Sequence, residues 1–460
     1  MAEVASREST SEIGAELRQL ASLLLATLEG RRKLVWWCLL AAATACMGIG
    51  VFACWELLRR GVGVWGINHS VAWGVAVVTF VFWIGIAHAG TFLSAILHLL
   101  HQPWRTAFSR LAEGATLLAV LCAAMFPLLH LGRPWLAFWM LPYPNTRGSL
   151  WVNFRSPLMW DFVAIATYFI ISVLFFWLGL LPDLAALRDR ASSPAVRRFY
   201  GRLSLGWHGG ERLWTHWRQV YDLLAGLATA LVISVHSIVS WDFAVSLVPG
   251  WHSTIYPPYF VVGAIFSGLA MVITLSLLGG RVFGFRRLVT VEDLEPVAKL
   301  LLAGSCFIGL VYAAEFFHAY YAGDPFETAV FQDRLFGWMV IPFLLTLVGV
   351  VLAPQLFWFG GCRRSVPALL FVSLAVNVGM WCERFVIVVG PLQIGFLPGT
   401  QSLYHPTWWE LGPILGSLGL FAAGLLVLFR IVPPLPAAEW KWRLLEERLP
   451  NLWIREDSTL

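Results

Sequence analysis

The chain has 460 residues, of which 58% are hydrophobic and only 13% are charged. A soluble protein of this length has about a quarter of its residues charged, so the sequence offers too little polar surface to cover a globule in water. The net charge of +5 does not indicate nucleic-acid binding, because most of the Arg and Lys residues lie between apolar segments. The solvent for most of this chain must therefore be lipid.

Ten segments are long and apolar enough to cross a bilayer, which requires about 20 such residues. In chain order they are 35–57, 72–100, 111–131, 157–181, 219–244, 258–280, 297–320, 336–358, 365–390 and 410–430. The sequence thus predicts an all-α integral membrane protein of about ten transmembrane helices. The remaining stretches are an N-terminal tail over 1–34, a long charged loop over 182–218 and a C-terminal tail over 431–460.

Arginine is distributed unevenly between the connections. The connections that follow even-numbered segments contain fourteen arginines, and those that follow odd-numbered segments contain six. Both tails also carry basic clusters, Arg31-Arg32-Lys33 at one end and Lys441 with Arg443 at the other. Because basic residues favour the cytoplasmic side, the pattern predicts that both termini are cytoplasmic. The odd-numbered connections then face outward, which in a bacterial inner membrane is the periplasm.

A short tryptophan pattern occurs twice. Trp55, near the end of the first segment, is followed by Trp65, and Trp241, near the end of the fifth, is followed by Trp251 at the same interval. Parallel repeats of this kind occur in membrane folds. The pattern predicts two four-helix bundles of the same orientation, over 35–181 and 219–358, and a final helix pair over 359–430.

Ionisable groups inside membrane spans are energetically costly, so each is a candidate functional residue. Most of them lie near the segment ends that are predicted to face the periplasm, and one lies nearer mid-membrane. The former are His130, Asp161, Asp242, Glu56, Glu315, His318, Glu383 and Arg384, and the deeper one is His88. Their concentration at one depth on one side predicts a site there.

A quinol-oxidising centre would use this set of groups. A quinol gives up two protons and two electrons, and its hydroxyl groups need acceptors such as imidazole or carboxylate. His130 and Asp161 lie at facing ends of consecutive segments, so we expect them to meet. Asp242, Glu315 and His318 could carry protons onward.

Other interpretations of the same residues remain open. Asp161 could cap the fourth helix, His130 could bond a backbone carbonyl, and Glu383 with Arg384 could be an internal charge pair. A secondary transporter with repeated halves would instead need polar groups and broken helices near mid-membrane. A haem b cytochrome would need two deep histidines, for which His88 and His236 are the only pair. The seven cysteines are scattered with no CxxC, which excludes iron–sulfur ligation by this chain.

Several long strings point to a known family. They are 64–69 (VWGINH), 79–91 (TFVFWIGIAHAGT), 127–135 (PLLHLGRPW), 153–161 (NFRSPLMWD), 178–185 (LGLLPDLA) and 249–254 (PGWHST). In this order they resemble the NrfD/PsrC family of quinone-interacting membrane subunits. Within that family the likeness is greatest to the ActC type found in bacterial alternative complex III.

The resemblance implies two four-helix bundles with two further helices, and a menaquinol pocket on the periplasmic side. The pocket residues of the family fall on His130, Asp161 and Asp242, with Arg384 assigned to the same pocket. A proton path is expected to use His88, Glu315, His318 and Glu56. The chain itself would carry no haem or iron–sulfur cluster. Its expected partners are a periplasmic iron–sulfur protein, subunits with c-type haems and a second NrfD-like membrane subunit.

Overall fold

The computed structural model describes residues 33–141, 156–395 and 401–448, and every regular element in these ranges is helical. Ten helices in this part of the chain are long and apolar enough to cross a membrane. We number them α1 (Lys33–Arg60), α2 (Val75–Leu99), α3 (Ser109–His130), α4 (Pro157–Arg190), α5 (Glu211–Ala244), α6 (Tyr256–Val282), α7 (Val291–Ala322), α8 (Val340–Trp358), α9 (Val366–Ile394) and α10 (Trp408–Ile431). The prediction of ten transmembrane helices is confirmed. The tail before Lys33 and the residues after Arg448 lie outside the described ranges.

The helices run alternately between two ends of the assembly. We call the end at which the odd-numbered helices finish the upper end, and the opposite end, where α1 begins and α10 finishes, the lower end. The sequence predicts that the upper end faces the periplasm. Short helices Pro325–Phe336 at the upper end and Pro194–Leu203 at the lower end lie between the long ones. Helix α8 is irregular, with a π-helical turn over Leu347–Leu352 and a 3-10 stretch over Ala353–Trp358.

The stretch 182–218 is not the loop that its charge predicts. Helix α4 continues to Arg190 and α5 already begins at Glu211, so both helices project beyond their apolar segments. Pro182 lies inside α4, and the next residue, Asp183, is buried and forms an ion pair of 3.0 Å with Arg110 of α3. This buried pair holds the charged extension against the bundle, an effect that composition alone does not reveal.

The helices associate as two rings of four and one pair. Helices α2 to α5 contact one another in sequence and close through α2 against α5, and α6 to α9 close in the same way through α6 against α9. The main partner of α1 is α10. Relative to the predicted grouping, each bundle therefore starts one helix later. The tryptophan repeat marks the start of each ring, because Trp65 and Trp251 lie in the connections that lead into α2 and α6.

Small residues explain why α1 pairs with α10. A Cβ added at Gly50 of α1 would overlap the Cα of Gly416, and one added at Gly412 would overlap the Cβ of Ala53. In lipid, where there is no hydrophobic drive between helices, such close backbone approach supplies the packing energy. This seam ties the first and last spanning helices together.

At the upper end, the start of α10 holds the connection between α1 and α2 in place. Glu410 accepts hydrogen bonds from the backbone N–H of Gly66 (2.7 Å) and from the hydroxyl of Tyr404 (2.7 Å). Tyr404 in turn accepts the N–H of Val75 (2.9 Å), the first residue of α2. Burial and the neighbouring Glu410 carboxylate raise the pKa of Tyr404, which keeps the hydroxyl protonated as a donor. The connection that contains Trp65 is therefore fixed at several points.

At the lower end, the C-terminal segment is a packed helix, Ala437–Arg448, rather than only a tail. Glu439 forms an ion pair of 2.6 Å with Arg105, which also donates to the hydroxyl of Tyr221 at 2.6 Å. The backbone N–H of Ala438 donates to Asp183 (3.1 Å). These contacts cover the lower end of the α2–α5 ring.

The α1–α10 seam generates a prediction. Gly50→Ala should lower the free energy of unfolding by about 1–3 kcal/mol, because the added methyl group forces the two backbones apart. Gly48→Ala on the same helix is the control, since a Cβ there meets nothing within 4 Å. Thermal unfolding of the purified variants in detergent measures both. Equal melting temperatures for Gly50→Ala and the wild type would contradict the close seam.

Candidate functional site

The position of His130 is set by the end of α3. Pro127 lies in the last turn, and the chain reverses at Gly132, whose φ of 65° suits a residue without Cβ. Val62, in the connection before α2, packs against Gly132. Three residues further on, the ring of Trp65 lies 6.3 Å from the ring of His130 at an angle of 31°. The imidazole therefore lies between α3 and the fixed connection at the upper end.

Asp161 and Asp242 meet across α4 and α5. Their carboxyl groups lie within hydrogen-bonding reach of one another, and the neighbouring rings of Trp160 and Trp241 are 5.8 Å apart. Asp161 is buried, with only 5% of its surface exposed. The cap of α4 is Ser156, so the alternative in which Asp161 caps the helix is wrong. The sequence had not indicated that the two aspartates would pair.

Two carboxyl groups this close cannot both be ionised at low cost, so they share a proton. A shared proton makes the pair both a donor and an acceptor. Asp161 Oδ1 and Asp242 Oδ1 are both buried, and neither accepts a hydrogen bond from an N–H or O–H donor of the described residues.

Two further buried atoms at the same end, His130 Nδ1 and Trp65 Nε1, have no hydrogen-bond partner among the described residues. His130 Nδ1 therefore does not bond a backbone carbonyl of the described residues, and the alternative in which His130 bonds a carbonyl is not tested for its other ring nitrogen. Buried polar groups without partners are rare and costly in proteins. The imidazole and indole nitrogens of one group, and the carboxyl oxygens of the other, match the donors and acceptors of a ligand with hydroxyl or carbonyl oxygens. No contact among the described residues joins the two groups, so the meeting of His130 with Asp161 stays a prediction. Trp65 was missed as a site residue, although its repeated spacing before α2 was a usable signal.

A histidine pair lies deeper, in the centre of the α2–α5 ring. The rings of His88 and His236 are 4.2 Å apart with their planes at 84°, and Tyr168 lies 4.2 Å from His88. His88 Nδ1 donates to the carbonyl of Ile84 at 2.8 Å. A haem held by both histidines would need its porphyrin plane between the two imidazoles. Rings that touch edge to face leave no gap for it, so this geometry opposes the haem b alternative.

Arg384 and Glu383 form a buried ion pair of 2.9 Å in the second ring, each about 2% exposed. The guanidinium group also lies 4.6 Å from the ring centre of Phe260 on α6. Arg384 is within electrostatic range of His236, which places it where the two rings of helices meet. Its described contacts are thus not with His130, Asp161 or Asp242, and its assignment to the same pocket stays a prediction.

The remaining predicted residues divide into two groups. Glu315 lies 3.9 Å from the buried Arg334 and is electrostatically coupled to His318, which is itself exposed. Glu56, by contrast, pairs with Arg59 (2.9 Å) and Arg60 (2.7 Å) on its own helix. Those ion pairs give Glu56 a local structural role, and none of its described contacts leads to the other candidates.

Buried polar residues that the sequence did not single out continue from the histidine pair toward the lower end. Tyr168 interacts with Thr91, Thr116 and Ser172. One turn below Thr91 on the same helix, Ser94 donates to Glu113 at 2.5 Å. The signal for this group is the helical spacing of small hydroxyl residues on α2, which is easily read as ordinary packing.

Comparison with known proteins places the chain among membrane subunits. Residues 63–394 match the family described as "Polysulphide reductase, NrfD". The chain is 26% identical to a putative dimethyl sulfoxide reductase membrane subunit of Halobacterium salinarum, over 86% of this chain and 91% of that protein. It is 24% identical to a selenate reductase subunit of Mesobacillus selenatarsenatis, over 84% and 91% of the two chains. It is also 24% identical to the "Hdr-like menaquinol oxidoreductase integral membrane subunit" of Archaeoglobus fulgidus, over 86% and 92%.

The aspartate pair generates a prediction. At neutral pH the infrared spectrum should contain the C=O band of a protonated carboxyl group, because the two aspartates share one proton. The band should be lost or shifted in both Asp161→Asn and Asp242→Asn. Asp222→Asn is the control, since Asp222 is exposed and pairs with His98 at 2.7 Å. A spectrum that neither substitution at the pair alters would contradict the shared proton.

Proposed function

The chain belongs to the polysulphide reductase NrfD family, and from this premise we propose that it is the quinol-oxidising membrane subunit of a multi-subunit redox complex. The ring of the quinol would bind at the upper end of the α2–α5 ring, beside His130, Asp161 and Asp242. The name of the Archaeoglobus relative contains "menaquinol oxidoreductase", which supports menaquinol as the substrate. The strings in the sequence favour a complex of the alternative complex III type.

One observation carries the proposal. Among the described residues, the buried atoms His130 Nδ1 and Trp65 Nε1 have no hydrogen-bond partner and the buried oxygens Asp161 Oδ1 and Asp242 Oδ1 accept from no donor, and all four lie at the upper end of the α2–α5 ring. A buried polar group that stays unpaired costs about 1–3 kcal/mol. A quinol offers two hydroxyl groups that can satisfy them. His130 is only half-buried, so the pocket is reachable from the side.

Each pocket residue has a distinct role in the oxidation of the quinol. The proton of one hydroxyl group passes to His130 Nδ1, which accepts it in the neutral tautomer that has its proton on Nε2. The second proton passes to a carboxyl oxygen of the Asp161–Asp242 pair, whose own shared proton moves onward. Trp65 Nε1 donates to a quinol oxygen and holds the ring in place. The two electrons leave to an oxidant in a partner subunit, for which we propose a periplasmic iron–sulfur protein that passes them to c-type haems.

We further propose that protons can move through the helix bundle along the buried polar groups. In the lower half the steps are Glu113, Ser94, Thr91 and Tyr168, which lead to His88 and His236. In the second ring, His236 is within electrostatic range of Arg384, whose guanidinium group stays charged. The proton would move by way of Glu383, the ion-pair partner of Arg384, and Tyr312, which is within electrostatic range of Arg384 and Glu315. Glu315 then lies near the exposed His318 at the upper end. The two rings of helices are thus joined by charge as well as by packing.

The tight packing of the polar groups near the middle of the helices argues against a secondary transporter. His236, Tyr168 and the Glu383–Arg384 pair join His88 near the middle of the helices, whereas the sequence led us to expect Glu383 and Arg384 nearer the upper end. These groups are packed against one another, however, with rings 4.2 Å apart and an ion pair of 2.9 Å. A transported solute would need space among them, whereas a proton needs only neighbouring donors and acceptors.

The head-group assignment predicts the effect of two substitutions. His130→Ala should lower the rate of quinol oxidation by about 10²–10⁴-fold, as expected for loss of a proton acceptor. Trp65→Phe should raise KM by up to about tenfold with a smaller effect on kcat, since a hydrogen bond to bound substrate is lost. Both are measured by menaquinol oxidation in membranes that contain the assembled complex.

His252→Gln is the matched control for these variants, because His252 is an exposed histidine at the same end. Assembly is verified by co-purification of the partner subunits. If His130→Ala assembles and oxidises quinol at the wild-type rate, the assignment of the pocket fails.

The proton path predicts an uncoupled variant. His236→Phe keeps a buried ring against His88 but removes the exchangeable proton, so quinol oxidation should continue while proton uptake at the lower end falls. Proteoliposomes with a pH-sensitive dye on one side and an electron acceptor on the other measure both quantities. If proton uptake per electron is unchanged in this variant, protons do not pass through His236, and the proposed path through the bundle is rejected.

A further inference from the structure

A cavity of about 580 Å³ lies at the upper end of the second ring of helices. One wall is the short helix Pro325–Phe336, the opposite wall is the segment 401–403 that leads toward α10, and the last turn of α9 lies between them. Several of the lining side chains are exposed, so the cavity opens to the outside. We call it the upper-end cavity.

The upper-end cavity is lined by polar side chains that lack partners. Gln393 is only 7% exposed, yet its amide group makes no hydrogen bond to the described residues. The Oγ of Ser402 is also buried without a partner, and Gln332 and Gln401 add two more amide groups. An amide both donates and accepts hydrogen bonds, so this lining matches the alternating N–H and C=O groups of an extended polypeptide. Hydrocarbon would be a poor neighbour for these groups.

The partly or fully exposed charges of the short helix and its cap are acidic. Asp333 lines the cavity and forms no ion pair among the described residues, and one of its oxygens accepts the N–H of Trp338 at 2.9 Å. Asp324 caps the helix and Glu327 lies in its first turn, whereas its one basic residue, Arg334, is buried. Opposite charges favour association across an interface. The charge therefore favours an occupant that carries Lys or Arg.

The wall that leads toward α10 also contacts the connection that contains Trp65. The carbonyl of Leu403 accepts a hydrogen bond of 3.2 Å from the side chain of Asn68, three residues after Trp65. Two residues beyond Leu403, the backbone of His405 lies so close to Gly66 that a Cβ on the glycine would overlap it. A molecule in the upper-end cavity is therefore separated from this connection by a single segment of chain.

We propose that the upper-end cavity binds an extended, basic segment of the subunit that accepts the electrons of the quinol, an inference that rests on the proposed function. The amide groups of Gln332, Gln393 and Gln401 bind the backbone of the segment, and Asp333 pairs with one of its Lys or Arg side chains. The segment anchors the acceptor at the end of the bundle where the quinol is oxidised. The wall that it touches joins its binding site to the connection between α1 and α2.

Photo-crosslinking in the assembled complex identifies the occupant. Gln332→benzoylphenylalanine places the probe in the lining. Leu335→benzoylphenylalanine is the matched control, because Leu335 lies on the same helix, is 42% exposed and is not part of the lining. On illumination, the probe at 332 should join a Lys- or Arg-containing segment of the subunit that carries redox cofactors, as identified by mass spectrometry, and the probe at 335 should not. Products at 332 that contain only lipid, a small solute or this chain itself would overturn the proposal.

Removal of one charge tests the ion pair. Asp333→Asn retains an oxygen that can accept the N–H of Trp338, so the short helix should keep its fold. In washed membranes, the electron-accepting subunit should be released from this variant at a lower NaCl concentration than from the wild type, since an ion pair that supports docking is lost. Asp222→Asn, an exposed position at the lower end, is the control and should not change the release. Release of Asp333→Asn at the wild-type concentration would contradict the proposed pairing and overturn the proposal.

Failure of the proposed function has a different signature. Asp333→Asn should leave the binding of a quinone analogue to the membranes unchanged, because Asp333 is not part of the quinol pocket. If the pocket itself is wrongly assigned, His130→Ala oxidises quinol at the wild-type rate, whatever the cross-links from position 332 contain.

Discussion

The constraint on which this structure depends is that a polar group surrounded by lipid and protein must find a partner. Most buried charges in the described residues do so: Arg105 with Glu439 and Tyr221, Arg110 with Asp183. These pairs lie at the lower end and hold the helix extensions and the C-terminal helix in place. Buried polar atoms without a partner occur at several places in the described residues, including Arg110, His88, His236 and Glu383. We interpret those of His130, Trp65, Asp161 and Asp242 at the upper end as places for a substrate.

The buried polar groups of this fold fall into two sets, which differ in whether they have partners. At the upper end of the α2–α5 ring, the imidazole of His130, the indole of Trp65 and the carboxyl groups of Asp161 and Asp242 each have a buried atom that makes no hydrogen bond to the described donors. Between the rings of helices, His88, His236 and Arg384 are packed tightly and lead away from that site. If the first group takes protons from quinol and the second conducts them, quinol chemistry and proton movement can be coupled without a cofactor in this chain.

The packing of the helices connects stability with substrate access. The glycine seam between α1 and α10 fixes the pair that flanks the first ring, and the hydrogen bonds of Glu410 at the start of α10 hold the connection that contains Trp65. A disturbance of the seam would therefore reach the pocket through the backbone.

The sequence by itself determined the ten spans, because hydrophobic length is a local property of the chain. Only the tertiary structure decided that Asp161 pairs with Asp242, that Glu56 forms ion pairs with Arg59 and Arg60 of its own helix, and that the bundles begin at α2 and α6. Those outcomes depend on which helices touch. Contacts such as Gly50 against Gly416 join residues hundreds of positions apart, and no local pattern specifies them.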